Sequence, residues 1–251
     1  MPALADAFRH PPLAQAFGDP ALLAGMLRFE AALAYAQADA GIVPRAAAAT
    51  IERVCDTLAA PAALDVAQLA ADARRAGTLA IPLVKALTAA VAAQDPAAAR
   101  HVHIGATSQD LLDTALALAQ RDAARMLLSM LEPLGDSLAQ LARQHRHTMM
   151  NGRTLLQAAT PVPFGWKAAG WLDPLTRSRV SLAAASDAAA VLQFGGAAGT
   201  LAALGEHGTA VAAGLARRLE LAQPQIAWHG ARDRVARLAA ELAIVCGAAA
   251  K

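Results

Sequence analysis

Apolar residues recur along this chain every three to four positions, in long segments broken by glycine, proline and short polar stretches. Leu22, Leu23, Met26, Leu27, Leu33 and Ala34 predict a helix over residues 21–40, with Gly41 as its stop. Further helices are expected over 44–58, 65–76 and 81–93, punctuated by Pro61, Gly77 and Pro82. The stretch 94–100, opening Gln94-Asp95-Pro96, marks a boundary between an N-terminal helical domain over 1–98 and a second domain over 99–251. In that second part Thr107 is placed to cap a helix, and Asp110 three residues on completes a capping-box pattern. Leu111, Ala115, Leu118, Met126, Met130, Leu134, Leu138 and Leu141 form one stripe reaching about His145, which Pro133 is expected to kink without ending. A loop through Asn151 carries residues 152–160, and Pro161 and Pro163 fit the start of a helix over 164–190. A glycine-rich loop at 193–200, a helix near 209–219, a loop at 224–230 and a last helix over 231–251 complete the pattern. No strand and no internal repeat is expected. The fold class is all-α.

Composition agrees. Hydrophobic residues make up 56% of the 251 positions but aromatics only 4%, a balance that favours helices packed through Ala and Leu over a sheet. Mean hydropathy is +0.35, high enough that a membrane span has to be tested. The longest uncharged stretch, residues 188–205, holds Gln193 and several glycines between Asp187 and Glu206, weaker than a spanning helix requires. The apolar excess is therefore expected to be buried against partner chains. Twenty-two basic and 20 acidic residues, well mixed, give a net charge of +2 and no basic stripe with interleaved aromatics, which excludes a nucleic-acid-binding surface. Cys55 and Cys246 lie in apolar helical contexts and are expected to be core thiols of a reducing compartment. The N-terminus lacks a basic segment followed by an apolar one, so the expected location is cytoplasmic.

Three polar islands interrupt the apolar pattern: His103-Ile104-Gly105-Ala106-Thr107-Ser108-Gln109-Asp110, then residues 152–161, then residues 192–200. The first places two hydroxyls and an amide at a helix N-terminus, where unpaired N–H groups and the dipole attract carboxylates. An ordinary cap explains Thr107 but requires neither the imidazole of His103 nor the amide of Gln109. In the second, Arg153, Thr154 and Gln157 offer donors, with a plain helix connection bearing a solvated Arg as the alternative. The third, around Gly195-Gly196, has no Walker lysine and no preceding strand, so flexible backbone close to a ligand or another chain fits better than a phosphate cradle. Trp228-His229 and Arg232-Asp233-Arg234 put cations at a helix start, an unfavourable end for them, so Asp233 or a bound anion is expected to neutralise them, with a plain solvated basic face as the alternative. His101-Val102-His103 and His145-Arg146-His147 lack the ligands that would complete a metal set. No G-x-S-x-G elbow supports a serine hydrolase.

Together these islands resemble the fumarase/aspartase superfamily, and within it the bacterial 3-carboxy-cis,cis-muconate cycloisomerases. The resemblance runs through Phe29-Glu30-Ala31-Ala32-Leu33, Ile81-Pro82-Leu83-Val84, the H-x-G-A-T-S-x-D island, the G-R-T-x-L-Q-x-A-x-P island, Leu192 to Leu204, and Trp228-His229-x-x-Arg232-Asp233-Arg234. Gln193-Phe194-Gly195-Gly196 and Trp228-His229 carry the cycloisomerase branch. Lyases of the superfamily commonly hold His where this chain has Leu155; the cycloisomerases are apolar there. Ala158 and Gly230-Ala231 are barer than the family pattern. The G-S-S-x-M-P-x-K-x-N signature with the family's catalytic Ser does not occur, and the sequence ends before its expected place.

The resemblance implies an L-aspartase-like fold, a small N-terminal helical domain plus part of a long central helix bundle, in a homotetramer whose sites draw on three chains. It implies lactonisation of 3-carboxy-cis,cis-muconate to a carboxymuconolactone in the protocatechuate/β-ketoadipate route of aromatic catabolism, with a small anionic polycarboxylate substrate and no cofactor, metal, nucleic acid or membrane. His103 is the expected proton donor. Thr107, Ser108, Gln109, Arg153, Thr154, Gln157, Arg232 and Arg234 are the expected substrate contacts. A sulfomuconate cycloisomerase or an adenylosuccinate-lyase-like enzyme is the alternative among enzymes, and a truncated non-catalytic relative the alternative outside them. Little turnover is expected from residues 1–251 alone.

Overall fold

The structure, a computed structural model, describes residues 10–251. The absence of a targeting segment expected at the extreme N-terminus concerns positions outside the described residues. In chain order the elements are α1 (Pro11–Gln15), α2 (Asp19–Asp39), α3 (Arg45–Ala59), α4 (Val66–Ala76), α5 (Ala80–Gln94), α6 (Ser108–Gln144), β1 (Met149–Thr154), β2 (Gln157–Pro163), α7 (Phe164–Ala189), α8 (Gly208–Leu219) and α9 (Asp233–Ala249), with 3₁₀ turns at Ala98–His101 and Ala202–His207. Contacts divide the chain into two compact units, Met1–Asp122 with Ala190–Arg232, and Ala123–Ala189 with Asp233–Lys251. The boundary expected near residue 98 lies inside the first of these; the observed division crosses α6.

In the first unit α2 is buried on nearly every side. Met26, Leu27, Phe29 and Leu33 are inside, and so are Glu30 and Gln37. A helix apolar all round belongs in an interior. α3 is one-sided, burying Ala47, Ala48, Ile51, Val54 and Cys55. It packs on α2, as does α8, which contributes Val211, Leu215 and Leu219 to the same core. Small residues set the spacing: a Cβ on Gly214 would sit 3.3 Å from that of Ala36, and one on Gly25 3.4 Å from that of Ala115. Each large side chain fully enclosed here contributes about 1.5–3 kcal/mol of transfer free energy. α4 follows its sequence signals closely, with Asp65 accepting from the Gln68 N–H at 2.9 Å and Gly77 ending it at φ +73°.

The second unit has a smaller core of Leu131, Leu175, Leu182, Ala185, Ala189, Leu238 and Val245, built where α7 packs on α9. Pro133 lies within α6, which runs on to Gln144. At the turn from α6 to α7 a Cβ on Gly165 would meet the Ala142 carbonyl oxygen at 2.4 Å, so only glycine lets the two backbones come this close. The Phe164 and Gly165 N–H groups donate to the Thr148 and His145 carbonyls at 2.8 and 3.0 Å.

Two expectations are corrected. Residues 149–163 form an antiparallel hairpin, pairing Met149 with Pro163 and Thr154 with Gln157, not a loop leading into a helix. Pro161 lies within β2 and Pro163 ends it, where a two-stranded ribbon tolerates missing donors. Gly152 sits at its irregularity, and a Cβ there would lie 2.3 Å from the Thr160 carbonyl oxygen. Cys55 is buried, and burial pushes its thiol well above the ordinary range, but Cys246 is exposed. It follows the buried Val245 by one position on α9, and a helix turns each residue about 100° from its neighbour. Among the described residues no helix is long and apolar enough to cross a membrane, and no group of three or more His, Cys, Asp or Glu is placed to hold a metal ion.

Candidate active site

The first turn of α6 builds the most polar interior of the first unit. Asp110 is fully buried, and its two oxygens answer five donors. Oδ1 accepts from Gln193 Nε2 at 2.9 Å and the Gly195 N–H at 3.0 Å, and lies 3.0 Å from His229 Nε2. Oδ2 accepts from the N–H groups of Thr107 at 3.0 Å and Gly196 at 2.8 Å. The Thr107 bond is half of the capping box read from the sequence. The other four bonds bring the third island and the Trp228-His229 segment onto the same carboxylate. Because a carboxylate only accepts, His229 Nε2 carries the proton in this contact. The backbone N–H groups of Gly195 and Gly196 therefore cradle an anion, but that anion is the chain's own Asp110. The N–H groups of Gly195 and Gly196 are thus spent within the chain, while Ala197, Ala198 and Thr200 of the same loop are exposed. Cβ atoms at Gly195 and Gly196 would fall 2.6 Å from Ala227 Cβ and 2.9 Å from the Gly105 carbonyl oxygen.

Gln193 extends the network. Its side-chain oxygen accepts from the Trp228 N–H at 2.8 Å, and its backbone exchanges two bonds with the Thr114 hydroxyl, at 2.8 and 3.1 Å. The Trp228 indole donates to the Leu192 carbonyl at 2.9 Å. One turn along α6, Asp113 takes both arms of Arg232 at 2.6 and 2.9 Å, and the guanidinium stands over the Trp228 ring, 5.1 Å from its centre. The cation expected to need Asp233 or a bound anion is thus neutralised by Asp113. Gln109 donates to Asp113 at 3.1 Å and to the His229 carbonyl at 2.7 Å, which commits both hydrogens of its amide.

His103 sits just ahead of this turn. Its Nδ1 lies 2.5 Å from Glu30 Oε1, a carboxylate that α2 holds at 2% exposure. Burial pulls the His103 imidazole toward neutrality, but the hydrogen bond and charge of Glu30, with the charge of Asp110 behind it, outweigh burial and raise its pKa above the ordinary value. Thr107 and Ser108 are half-buried beside it in sequence, at the helix end where first-turn N–H groups have no helical partner. Of the expected contacts, His103, Thr107, Ser108, Gln109 and Arg232 fall in this unit. Arg153, Thr154 and Gln157 belong to the hairpin of the second unit, all three exposed. Arg153 and Thr154 line a cleft of about 550 Å³ with Thr160, Trp166, Lys167 and Trp171. Arg234 is half-buried in the first turn of α9.

Sequence reasoning missed Glu30, Asp113, Thr114 and Gln193, and took Asp110 for a cap alone. A signal existed: Asp110, Asp113 and Thr114 stand at i, i+3 and i+4 beside Leu111, Leu112 and Ala115 at the start of α6, a polar stripe on one face. Arg121, two turns further, is buried and donates to the carbonyls of Leu219 and Glu220 at 2.9 and 3.2 Å, tying down the end of α8.

Comparison with known proteins agrees with this architecture. Residues 7–251 match the lyase family. The chain is 49% identical over 250 residues to a 3-carboxy-cis,cis-muconate cycloisomerase of Bradyrhizobium diazoefficiens, covering 100% of this chain and 54% of that protein. The crystal structure of 3-carboxy-cis,cis-muconate lactonizing enzyme from Pseudomonas putida superposes with a TM-score of 0.92 at 47% identity, over 96% of this chain and 54% of the other. That of β-carboxy-cis,cis-muconate cycloisomerase from Acinetobacter calcoaceticus gives 0.94 at 39% identity, over 98% and 57%. The chain spans about half the length of the curated relatives it matches. It belongs to this lyase family, and its fold is that of the fumarase/aspartase-type lyases.

Proposed function

We propose that this chain carries substrate-binding and proton-donating parts of a 3-carboxy-cis,cis-muconate cycloisomerase, which closes the diene acid to a carboxymuconolactone in aromatic catabolism in the cytoplasm. One substrate carboxylate oxygen bonds to a carbon of the conjugated double bond. The π pair moves onto the carbon beside another carboxylate, giving an enolate-like intermediate, and a proton delivered there completes the addition. His103 is the donor in this scheme. The substrate is a trianion, and the first turn of α6, with Thr107 and Ser108, offers N–H and hydroxyl donors for one carboxylate. Arg153, Thr154 and Gln157, with Arg234, supply donors for the others. Gln109 and Arg232, committed to Asp113, fix the wall that His229 forms.

The observation that carries this reading is the start of α6, where a histidine with a raised pKa precedes an anion-attracting helix end anchored by Asp110. Similarity to proteins named as muconate cycloisomerases supports the substrate class. The apolar Leu155, standing where the resemblance puts His in other lyases, favours this branch over an adenylosuccinate-lyase-like activity. Exposed Met149, Leu155, Leu156, Trp166, Val180 and Ile244 support burial against further copies of the chain. In that homotetramer the bare hairpin donors serve a site shared between chains.

The test is ligand-dependent stabilisation together with turnover. A ligand that binds only the folded state raises the unfolding midpoint with its concentration. 3-Carboxy-cis,cis-muconate is expected to raise it, with at most a slow loss of diene absorbance from residues 1–251 alone, while adenylosuccinate does not raise it. The reverse preference overturns the proposal.

A further inference from the structure

Within α2, the central and most completely buried helix of the first unit, two polar side chains are fully enclosed: Glu30 at 2% exposure and Gln37 at 0%. They are seven residues apart, two turns of α2, and so share a face. Both hold the same loop. Glu30 Oε1 meets His103 Nδ1 at 2.5 Å, and Gln37 Nε2 donates to the Ile104 carbonyl at 2.6 Å. A buried carboxylate and a buried amide are costly unless answered, and each retains one oxygen, Glu30 Oε2 and Gln37 Oε1, without a hydrogen-bond partner among the described residues. Core packing alone gives no reason to put either residue there.

The loop they hold is itself forced. His103 has φ +60° and Gly105 +73°, the first an unfavourable backbone for a side chain that only its surroundings can maintain. A Cβ at Gly105 would strike Leu204 at 2.8 Å, so the far side of the loop is also walled in. The result is an imidazole fixed by one ring nitrogen. Since Glu30 is the acceptor, the proton of the neutral ring resides on Nδ1, leaving Nε2 as the atom available to accept or deliver a proton.

We infer that Glu30 is the positioning residue of the site: it fixes His103 with Nδ1–H toward α2 and Nε2 turned to the reaction, while Gln37 clamps the next carbonyl. Its catalytic meaning rests on the reading of His103 as proton donor; the dyad itself does not. Two carboxylates act on the ring, Glu30 and Asp110, and Asp110 is already saturated with five donors, so the proton position follows Glu30.

The experiment is a histidine ¹⁵N NMR titration of the whole chain. Its seven histidines are resolved by the signal lost in His103→Asn. In the wild type the neutral His103 ring is expected in the Nδ1–H form. Glu30→Gln, which keeps an acceptor but not the charge, is expected to lower the His103 midpoint by about one pH unit or more. Glu30→Leu is expected to return the ring to the commoner Nε2–H form. An unchanged midpoint in Glu30→Gln, or an Nε2–H ring in the wild type, overturns the inference, and neither needs the leucine variant to fold. A wild-type Nδ1–H ring beside a His103→Asn enzyme of undiminished turnover keeps the dyad and removes His103 from the chemistry. The opposite pairing removes the dyad and keeps the proposed function.

Discussion

The polar knot around Asp110 and the β1–β2 hairpin draw on similar chemistry, hydroxyls, amides and a guanidinium beside glycine, yet they are built in opposite ways. Around Asp110 each donor finds an acceptor inside the same unit: the carboxylate takes five bonds, Asp113 takes Gln109 and Arg232, and Gln193 bonds through backbone and side chain. On the hairpin Arg153, Thr154 and Gln157 are exposed, and none has a side-chain hydrogen bond among the described residues. Its turn residues Leu155 and Leu156 both have positive φ and are 92% and 105% exposed, where a two-residue turn ordinarily wants Asn-Gly. Self-satisfied polar groups hold a shape; unsatisfied ones, with leucines at a strained tip, await something outside the unit. The knot around Asp110 is therefore first a matter of stability, holding the α6 end at which the Thr107 and Ser108 hydroxyls face a ligand in the proposed site, and the hairpin is a matter of binding alone.

The sharpest way to break that contrast is Asp110→Asn. The amide keeps one accepting oxygen and puts hydrogens in place of the other, so either the Oδ1 donors (Gln193, the Gly195 N–H and His229) or the Oδ2 donors (the Thr107 and Gly196 N–H groups) are left opposed in a dry interior. Removing one partner of a buried charged network costs about 3–5 kcal/mol, and urea unfolding should lose that much. A loss under 1 kcal/mol would mean that the knot is not the anchor of the loop at 193–200. Next in size is a pair of identical substitutions with opposite signs. Gly195→Ala drives a Cβ to 2.6 Å from Ala227 Cβ and should cost about 1–3 kcal/mol. Gly170→Ala in α7 meets nothing within 4 Å and should gain about 0.5–1 kcal/mol from helix propensity. Calorimetric melting of both variants decides it, and equal effects would erase the distinction.

Smaller again is a pH dependence confined to the first unit. His103 has a folded-state pKa above its ordinary value of 6.5, so folding favours the protonated ring. The stabilisation is complete below 6.5 and fades as pH rises through the raised folded value. Urea midpoints should fall over that window in the wild type and flatten in Glu30→Gln. A wild-type midpoint that climbs from pH 6.5 upward would contradict the dyad.

Helices were legible because their signals are local. Gly41, Asp65, Gly77, the Thr107–Asp110 box and the apolar stripe of α6 each act over a few residues, and the observed bounds, such as Phe164–Ala189 for a helix expected over 164–190, fall within a residue or two. The hairpin was not legible, because a two-stranded ribbon with both edges free needs no apolar alternation and carries Gly152, Pro161 and Pro163 without penalty. In the site, the islands pointed to the right segments but not to their partners. Glu30 meets His103 across 73 positions and Arg232 meets Asp113 across 119, separations over which no local pattern reports a contact. Glu30 lay in plain view within Phe29-Glu30-Ala31, where only its burial reveals its use.

The smallest expected effect on stability is the most informative about function. Arg153 is exposed on β1, paired through its backbone with Ala158 and with no side-chain partner among the described residues, so Arg153→Ala should change the unfolding free energy by no more than about 0.5 kcal/mol. Its guanidinium is nonetheless matched to a carboxylate by a planar fork that lysine does not reproduce. The midpoint rise produced by 3-carboxy-cis,cis-muconate should therefore disappear in Arg153→Ala and return only in part in Arg153→Lys. A full ligand response in the alanine variant would make the hairpin an ornament of the second unit and leave binding to the α6 end alone. A large loss of stability without ligand would show that Arg153 has a structural partner, and the contrast between the two regions would fall with it.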